Sequence, residues 1–130
     1  MRITRFVTTH DQGSRFEDLE LAWPDSRTDA FGHVLALSRS FAADCLLASL
    51  PADLDQDWHN APDRQLVAVL SGRLEVETTD GACRQWGPGG LFFADDTTGR
   101  GHRTRVLEGP VRLLFVRLAE DFDVTELTRA

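Results

Sequence analysis

The sequence predicts a single all-β domain, built as a sandwich or barrel. Short stretches with strand character follow one another from residue 31 to residue 118, at the spacing of about 8–12 residues that is typical of such folds. Asp80-Gly81 separates two of these stretches and is a strong hairpin signal. No gap between the stretches has room for a crossover helix of about a dozen residues, which argues against a parallel α/β sheet.

The individual strands follow from local residue patterns. Residues 65–70 are apolar on both faces, as expected of a central strand, whereas residues 74–78 and 102–106 alternate between the two faces. The predicted strands are 33–38, 46–50, 65–70, 74–78, 82–86, 91–94, 102–106 and 111–118. We therefore expect one domain over residues 1–130, with its core at about 31–118 and a tail at 119–130 that forms a short helix or frays.

Charge and composition exclude several classes of partner. The chain has 14 basic and 21 acidic residues and a net charge of -7, which disfavours binding to nucleic acid or to an anionic membrane surface. The N-terminus is polar and no apolar run approaches about 20 residues, so we predict a cytoplasmic protein. Cys45 and Cys83 are too few for a disulfide framework and are interpreted as small hydrophobic residues.

The block from Trp58 to Gly72 carries a specific motif. It resembles the first motif of the cupin superfamily, which runs His-x-His, three or four residues, Glu, six residues and Gly. His59 takes the first His position and Ala61 the second, while Gln65 stands in the place of Glu and Gly72 closes the motif.

A second stretch resembles the second cupin motif with several departures. Gly89 opens it, and Gly90 replaces the usual acidic residue. Asp95 stands where the motif has Pro, His102 arrives two residues late, and Val106 replaces the final Asn. The stretches Trp-His-x-Ala-Pro, Arg-Gln, Leu-Ser-Gly and Asp-Thr-Thr-Gly-x-Gly-His also resemble a group of small, single-domain bacterial cupins.

This resemblance implies a double-stranded β-helix, that is, a jelly-roll, cupin-like barrel with its site inside. Family metal sites hold a divalent transition metal with three His and one Glu. His59, Gln65 and His102 are the metal ligands that the resemblance leaves here, for Fe, Mn, Ni, Co or Zn. An amide oxygen is a weaker donor than a carboxylate, so any such centre is expected to be weak. The resemblance also implies a homodimer.

The positions of the polar residues in the sequence suggest a role for each of them. His102, His59 and Asp96 are candidate catalytic residues, with Asp96 acting as a base or as the group that orients His102. Asp95 is interpreted as a turn residue. His33 shares a strand face with Leu35 and is interpreted as a core or rim histidine.

Because cupin barrels host many reactions, the function hypotheses rest on the site. The first is a small-molecule enzyme with a weak metal centre and dioxygenase-, isomerase- or cyclase-like chemistry. The second is a metal-free protein that binds or senses a small organic molecule, or transfers a proton through His102 and His59. The third is an accessory subunit whose barrel packs against a partner. Whether the protein is an enzyme stays open at this point.

Overall fold

The computed structural model describes residues 1–129 and consists almost entirely of β-strands. The elements are β1 (Arg2–Thr8), β2 (Ser14–Glu20), β3 (Asp25–Thr28), β4 (Val34–Leu37), β5 (Asp44–Leu50), β6 (Gln65–Glu77), β7 (Cys83–Trp86), β8 (Leu91–Ala94), β9 (Arg103–Arg117) and a 3-10 helix (Val124–Thr128). None of the helices in this range has the length and apolar character needed to cross a bilayer. The all-β prediction is confirmed.

Seven strands form one mixed sheet in the order β2-β1-β8-β6-β9-β5, and β7 pairs with β6 beside this path. The long antiparallel pair β6–β9 is its centre, while β1 pairs with β8 in parallel. β1 and β2 lie outside the predicted core of 31–118, yet β1 supplies the buried residues Ile3 and Phe6, and Ser14 of β2 is buried as well. The sequence gives no clear strand signal for β2, because its apolar residues Phe16 and Leu19 are three positions apart and do not follow a period of two.

A bend in β6 joins two strands that the sequence suggested were separate. The register between β6 and β9 shifts between Val69 and Leu74. At the bend, Gly72 has φ +80°, and a Cβ there would lie 2.6 Å from the carbonyl oxygen of Glu108. Only glycine fits such a close approach with a left-handed backbone. Register shifts of this kind bend a strand, which allows the sheet to curl around its interior.

Two apolar clusters stabilise the sheet. The larger contains Phe6, Val67, Val69, Leu74, Val76, Phe92, Val111 and Leu113 and fills the inside of the roll. The smaller joins Ile3 and Phe93 to Leu118, Val124 and Leu127. The predicted tail is therefore not frayed over residues 119–129, because Val124 and Leu127 of its 3-10 helix are buried. Residue 130 lies outside the described residues.

The hairpin of β3 and β4 forms a separate two-stranded sheet. The predicted strand at 33–38 exists as β4, but its Val34 side is exposed to solvent instead of facing the barrel. His33 is therefore neither a core nor a rim residue: its side chain is 72% exposed, and Nδ1 lies 2.8 Å from Oδ2 of Asp29. Alternation alone identified a strand here but not the sheet to which it belongs. Cys45 and Cys83, which the sequence analysis interprets as small hydrophobic residues, are free thiols and both are exposed.

Candidate functional site

A cavity of about 440 Å³ opens between β5, β6, β8, β9 and the loop of residues 51–64. Buried apolar side chains such as Val67 and Leu113 form its floor, and His102 is buried beside them. The lining includes Leu46, Leu50, Ala61, Val67, Leu74, Phe92, Ala94, Leu113 and Phe115, together with Gln56, His59, Asn60, Asp63, Gln65, His102, Thr104 and Arg117. A concave, largely apolar site with a few polar groups is typical of small-molecule binding.

His59 and His102, which are 43 positions apart in the chain, are neighbours in this cavity. The backbone N–H of each donates to the carbonyl oxygen of the other, at 3.0 and 2.9 Å, and the two ring centroids are 4.7 Å apart. Gly101 makes the approach possible: it has φ +73°, and any Cβ there would overlap the carbonyl oxygen of His59. These backbone hydrogen bonds therefore hold the loop of residues 51–64 against the start of β9 and bring the two imidazoles side by side.

His102 is held by a buried carboxylate. Its Nδ1 lies 2.5 Å from Oδ2 of Asp96, and Asp96 is fully buried. An ionised carboxylate only accepts, so Nδ1–H donates and the lone pair of the neutral ring lies on Nε2. Nε2 of His102 makes no hydrogen bond within residues 1–129. Asp96 lies behind His102, outside the cavity lining, which suits it to orienting the ring.

The ring nitrogens of His59 have the same roles as those of His102. Its Nδ1 lies 2.8 Å from the carbonyl oxygen of Asp57, so Nδ1–H donates and Nε2 carries the lone pair. Two imidazoles with their Nδ1 atoms engaged therefore share one cavity. This is also how metal-binding histidines are usually oriented by their neighbours.

The donor set is one group short for a tightly bound metal. A catalytic zinc site uses three protein ligands, commonly His and carboxylate. Residues 1–129 contain no group of three or more His, Cys, Asp or Glu side chains placed to hold an ion. Ala61, at the second His position of the motif, brings only a methyl group to the cavity. His59, His102 and Gln65 do not fit a firmly held resident metal, and at most fit a weakly held ion completed by water.

Gln65 and Arg117 form a pair of which the sequence analysis identified only Gln65 as a candidate site residue. Gln65 begins β6 and is opposite Arg117 of β9 in the antiparallel register. Both residues line the cavity, and neither side chain makes a hydrogen bond or ion pair within residues 1–129. The sequence analysis missed Arg117 because this residue reaches the cavity only through the pairing of β9 with β6, and no pattern near Arg117 in the sequence predicts that pairing.

Asp95 is not merely a turn residue, as its sequence context suggested. Its carboxylate accepts from Nε of Arg5 at 2.7 Å and from Nε of Arg64 at 3.1 Å. Arg64 also donates to the carbonyl oxygens of residues 119, 120 and 122. This ion cluster ties β1 and the C-terminal segment to the residue preceding Asp96. It thereby helps to place the carboxylate that holds His102.

A second, smaller pocket of about 190 Å³ lies on β6, β7 and β9, and most of its lining residues are charged. Arg105 donates to Glu75 there, with an Nη2–Oε1 distance of 2.7 Å. Desolvation, followed by the negative charges of Glu75 and Glu77, raises the pKa of the Cys83 thiol above its usual value. These conditions disfavour the thiolate, so Cys83 is a poor nucleophile.

No protein-family model matches this sequence, and no curated protein matches it either. Among solved structures, the cupin domain of Cnp3 from Schizosaccharomyces pombe is similar, with a TM-score of 0.50 and 13% identity over 92% of this chain and 84% of that one. The conserved protein SPY1581 of unknown function from Streptococcus pyogenes has a TM-score of 0.46 and 22% identity over 65% of this chain and 71% of its own. The protein NMB1881 from Neisseria meningitidis has a TM-score of 0.45 and 18% identity over 64% and 90%.

Identities this low bear on the fold alone, and of these three structures the Cnp3 domain has a TM-score of 0.50. That match spans nearly the whole chain and agrees with the jelly-roll architecture predicted from the motifs. The chain therefore has the fold of a small cupin-like domain.

Proposed function

We propose that this protein binds a small organic molecule in the barrel cavity and that His102 accepts a proton from that molecule. The observation that carries the proposal is the buried Asp96–His102 pair beside an apolar cavity. An imidazole oriented by a carboxylate is a recurring general base.

The proton transfer follows from the assigned ring nitrogens. The lone pair of His102 Nε2 takes the proton from an acidic C–H or O–H group of the bound molecule, and the bonding electrons stay on that molecule. The ring becomes an imidazolium with both nitrogens protonated, and the Asp96 carboxylate stabilises its charge through Nδ1–H. Return of the proton to another atom of the ligand completes an isomerisation. His59, with its ring centroid 4.7 Å from that of His102, keeps its lone pair on Nε2 and can accept a hydrogen bond from an O–H or N–H group of the ligand.

Binding in the cavity is tested by blocking it. Leu50→Trp places a bulky ring on the lining from the edge strand β5, whereas Leu70→Trp makes the same change at an exposed side chain of β6 outside the lining. Both variants and the unaltered protein are incubated with a bacterial metabolite extract and analysed by native mass spectrometry. We expect a bound small molecule with the unaltered protein and Leu70→Trp, and none with Leu50→Trp. Equal occupancy in all three would contradict binding in the cavity.

Proton transfer is tested on the molecule recovered in that experiment. We expect the unaltered protein to incorporate deuterium into it from D₂O, and His102→Gln to bind it without incorporation. Asp96→Asn, which keeps the shape but not the charge, is expected to slow incorporation about 100-fold or more, since general-base contributions are of that order. Incorporation by His102→Gln at the full rate would refute the role of His102.

A weak divalent-metal centre is the second candidate function. The specific observation in its favour is that His59 and His102 both engage Nδ1 elsewhere, while neither Nε2 has a hydrogen-bond partner within residues 1–129. A bound ion would polarise a carbonyl group of the ligand. Protein purified without chelator or nickel resin is analysed for metals, and Mn²⁺ or Zn²⁺ is titrated by calorimetry. Stoichiometric metal that is lost in His59→Gln favours this candidate, whereas metal-free protein that binds its ligand favours the first.

We also propose that the protein forms a homodimer through the β3–β4 hairpin and β5. Phe31 and Val34 of the hairpin are 86% and 72% exposed, and β5 is a sheet edge with Leu47 71% exposed. A hairpin that lies outside its own main sheet and an apolar, unpaired strand edge are complementary in a symmetric pair of copies. Analytical ultracentrifugation is expected to show a dimer that Leu47→Asp or Phe31→Asp converts to monomer. A monomeric unaltered protein at about 100 μM would contradict this.

A further inference from the structure

The cavity contains a pair of hydrogen-bond donors that the proposed proton transfer does not use. Gln65 and Arg117 are directly opposite each other on β6 and β9. Side chains at opposite positions of an antiparallel pair project from the same face with Cβ atoms about 4.5–5.5 Å apart. Both of these side chains line the cavity, so an amide and a guanidinium are presented from opposite positions of neighbouring strands at its edge.

Arg117 differs from the other arginines that organise this fold. Arg64 and Arg84 contact carboxylates of the chain, with N–O distances of 3.1 and 2.6 Å. Arg117 has no such partner within residues 1–129, and it is the only basic residue other than histidine among those lining the cavity. A planar guanidinium without an internal partner is a ready site for a bidentate anion.

The remainder of the cavity defines the rest of the ligand. Val67, Leu74 and Leu113 are buried and form an apolar floor that cannot bind polar groups. We infer that the bound molecule is a small carboxylate with an apolar body, whose carboxylate accepts from Arg117 and Gln65 while the body packs on this floor. The inference rests on the proposed function, because it names the chemical class of the molecule in the same cavity.

The local charges favour a carboxylate over a phosphate. Arg117 supplies one positive charge and Gln65 none, which matches a single negative charge. Asp63 is the one carboxylate among the lining residues that the structure describes, and it disfavours a dianion further. Asp63 also allows a test of the ligand's charge, since removal of this carboxylate is expected to strengthen the binding of an anion.

The test compares acids with their neutral amides. Benzoate, phenylacetate and hexanoate, and benzamide, phenylacetamide and hexanamide, are titrated into the protein by calorimetry in the presence of EDTA, so that a weakly held metal does not bind the carboxylate. We expect each acid to bind about tenfold or more tightly than its amide, since a charge-assisted hydrogen bond is worth at least that factor. Phenyl phosphate is expected to bind more weakly than benzoate.

Variants locate the effect. Arg117→Gln is expected to weaken acid binding about tenfold or more and leave amide binding unchanged. Arg112→Gln removes the same charge from the same strand at an exposed residue outside the lining, and is expected to change neither. Gln65→Leu is expected to weaken acid binding by a smaller factor, and Asp63→Asn to strengthen it.

The possible failures are distinguishable. If amides bind as tightly as acids, or if Arg117→Gln binds acids normally, the inference is wrong while the cavity remains a binding site. If phenyl phosphate binds more tightly than benzoate, the carboxylate assignment is wrong. If no acid binds, the inference is also overturned, and the native mass spectra with Leu50→Trp decide separately whether the cavity binds any molecule.

Discussion

Replacing Gly101 by Ala tests the junction that brings the two imidazoles together. Gly101 has φ +73°, where an L-residue is strained by about 1–2 kcal/mol. Its new Cβ would also overlap the carbonyl oxygen of His59, so the loop must move away from β9. That movement breaks the two hydrogen bonds between His59 and His102, which are worth about 1 kcal/mol each. We therefore expect a loss of about 3–4 kcal/mol in the free energy of unfolding.

The measurement is urea unfolding followed by tryptophan fluorescence. With a slope of about 2 kcal/mol per M, this loss lowers the midpoint by roughly 1.5–2 M. Gly81→Ala is the matched control, because Gly81 has φ +87° but open space around its Cβ position. It carries the backbone strain alone and is expected to lose only about 1–2 kcal/mol. Equal losses in the two variants would refute the idea that close contact at Gly101 holds His59 against His102.

Two further predictions concern charged groups. Asp95→Asn removes a carboxylate that is 4% exposed and lies between two arginines. We expect it to lower the free energy of unfolding in urea by about 2–3 kcal/mol, which is less than for a fully buried ion pair because both arginines are partly solvated. A loss below about 0.5 kcal/mol would show that the cluster does not stabilise the fold. Hydrogen bonding from Arg84 lowers the pKa of Asp18 below its usual 3.8, so this pair stabilises the fold above that pH and loses its effect as the pH falls through the lowered pKa. Because both side chains are more than a third exposed, the effect should stay below about 1 kcal/mol. The stability difference between the unaltered protein and Asp18→Asn, followed by thermal unfolding from pH 7 to pH 2, should shrink below about pH 3.8, and a constant difference would argue against the ion pair.

Local patterns were sufficient where a strand has a consistent face. Val67 and Val69 share a buried face of β6, in the segment that the sequence predicted as a central strand, and Asp80-Gly81 forms the turn between β6 and β7. The same reasoning assigned β4 to the barrel, although it belongs to a separate hairpin. Periodicity describes which side chains share a face of one strand, but it contains no information about what that face packs against.

In the candidate site, too, the sequence predicted some residues and only the tertiary structure revealed the others. The cupin-like motifs identified His59, Gln65 and His102, and the structure brings all three to one cavity. Their roles in binding or catalysis stay predictions. Asp96 was recognised only as a possible partner of His102, and the 2.5 Å contact depends on the turn between β8 and β9. Arg117 and the Asp95 cluster had no local signal at all.

By itself, the sequence determined the all-β class, most strands between residues 31 and 118, the hairpin at residues 80–81 and, through the resemblance to the cupin motifs, the two imidazoles, because these depend on residue type and on spacing within short segments. The tertiary structure alone decided that Gln65 is opposite Arg117, that Gly101 allows His59 to reach His102, and that the C-terminal segment packs on the sheet. Each of these depends on contacts between residues far apart in the chain, whose geometry is set by strand register and by the bend of β6.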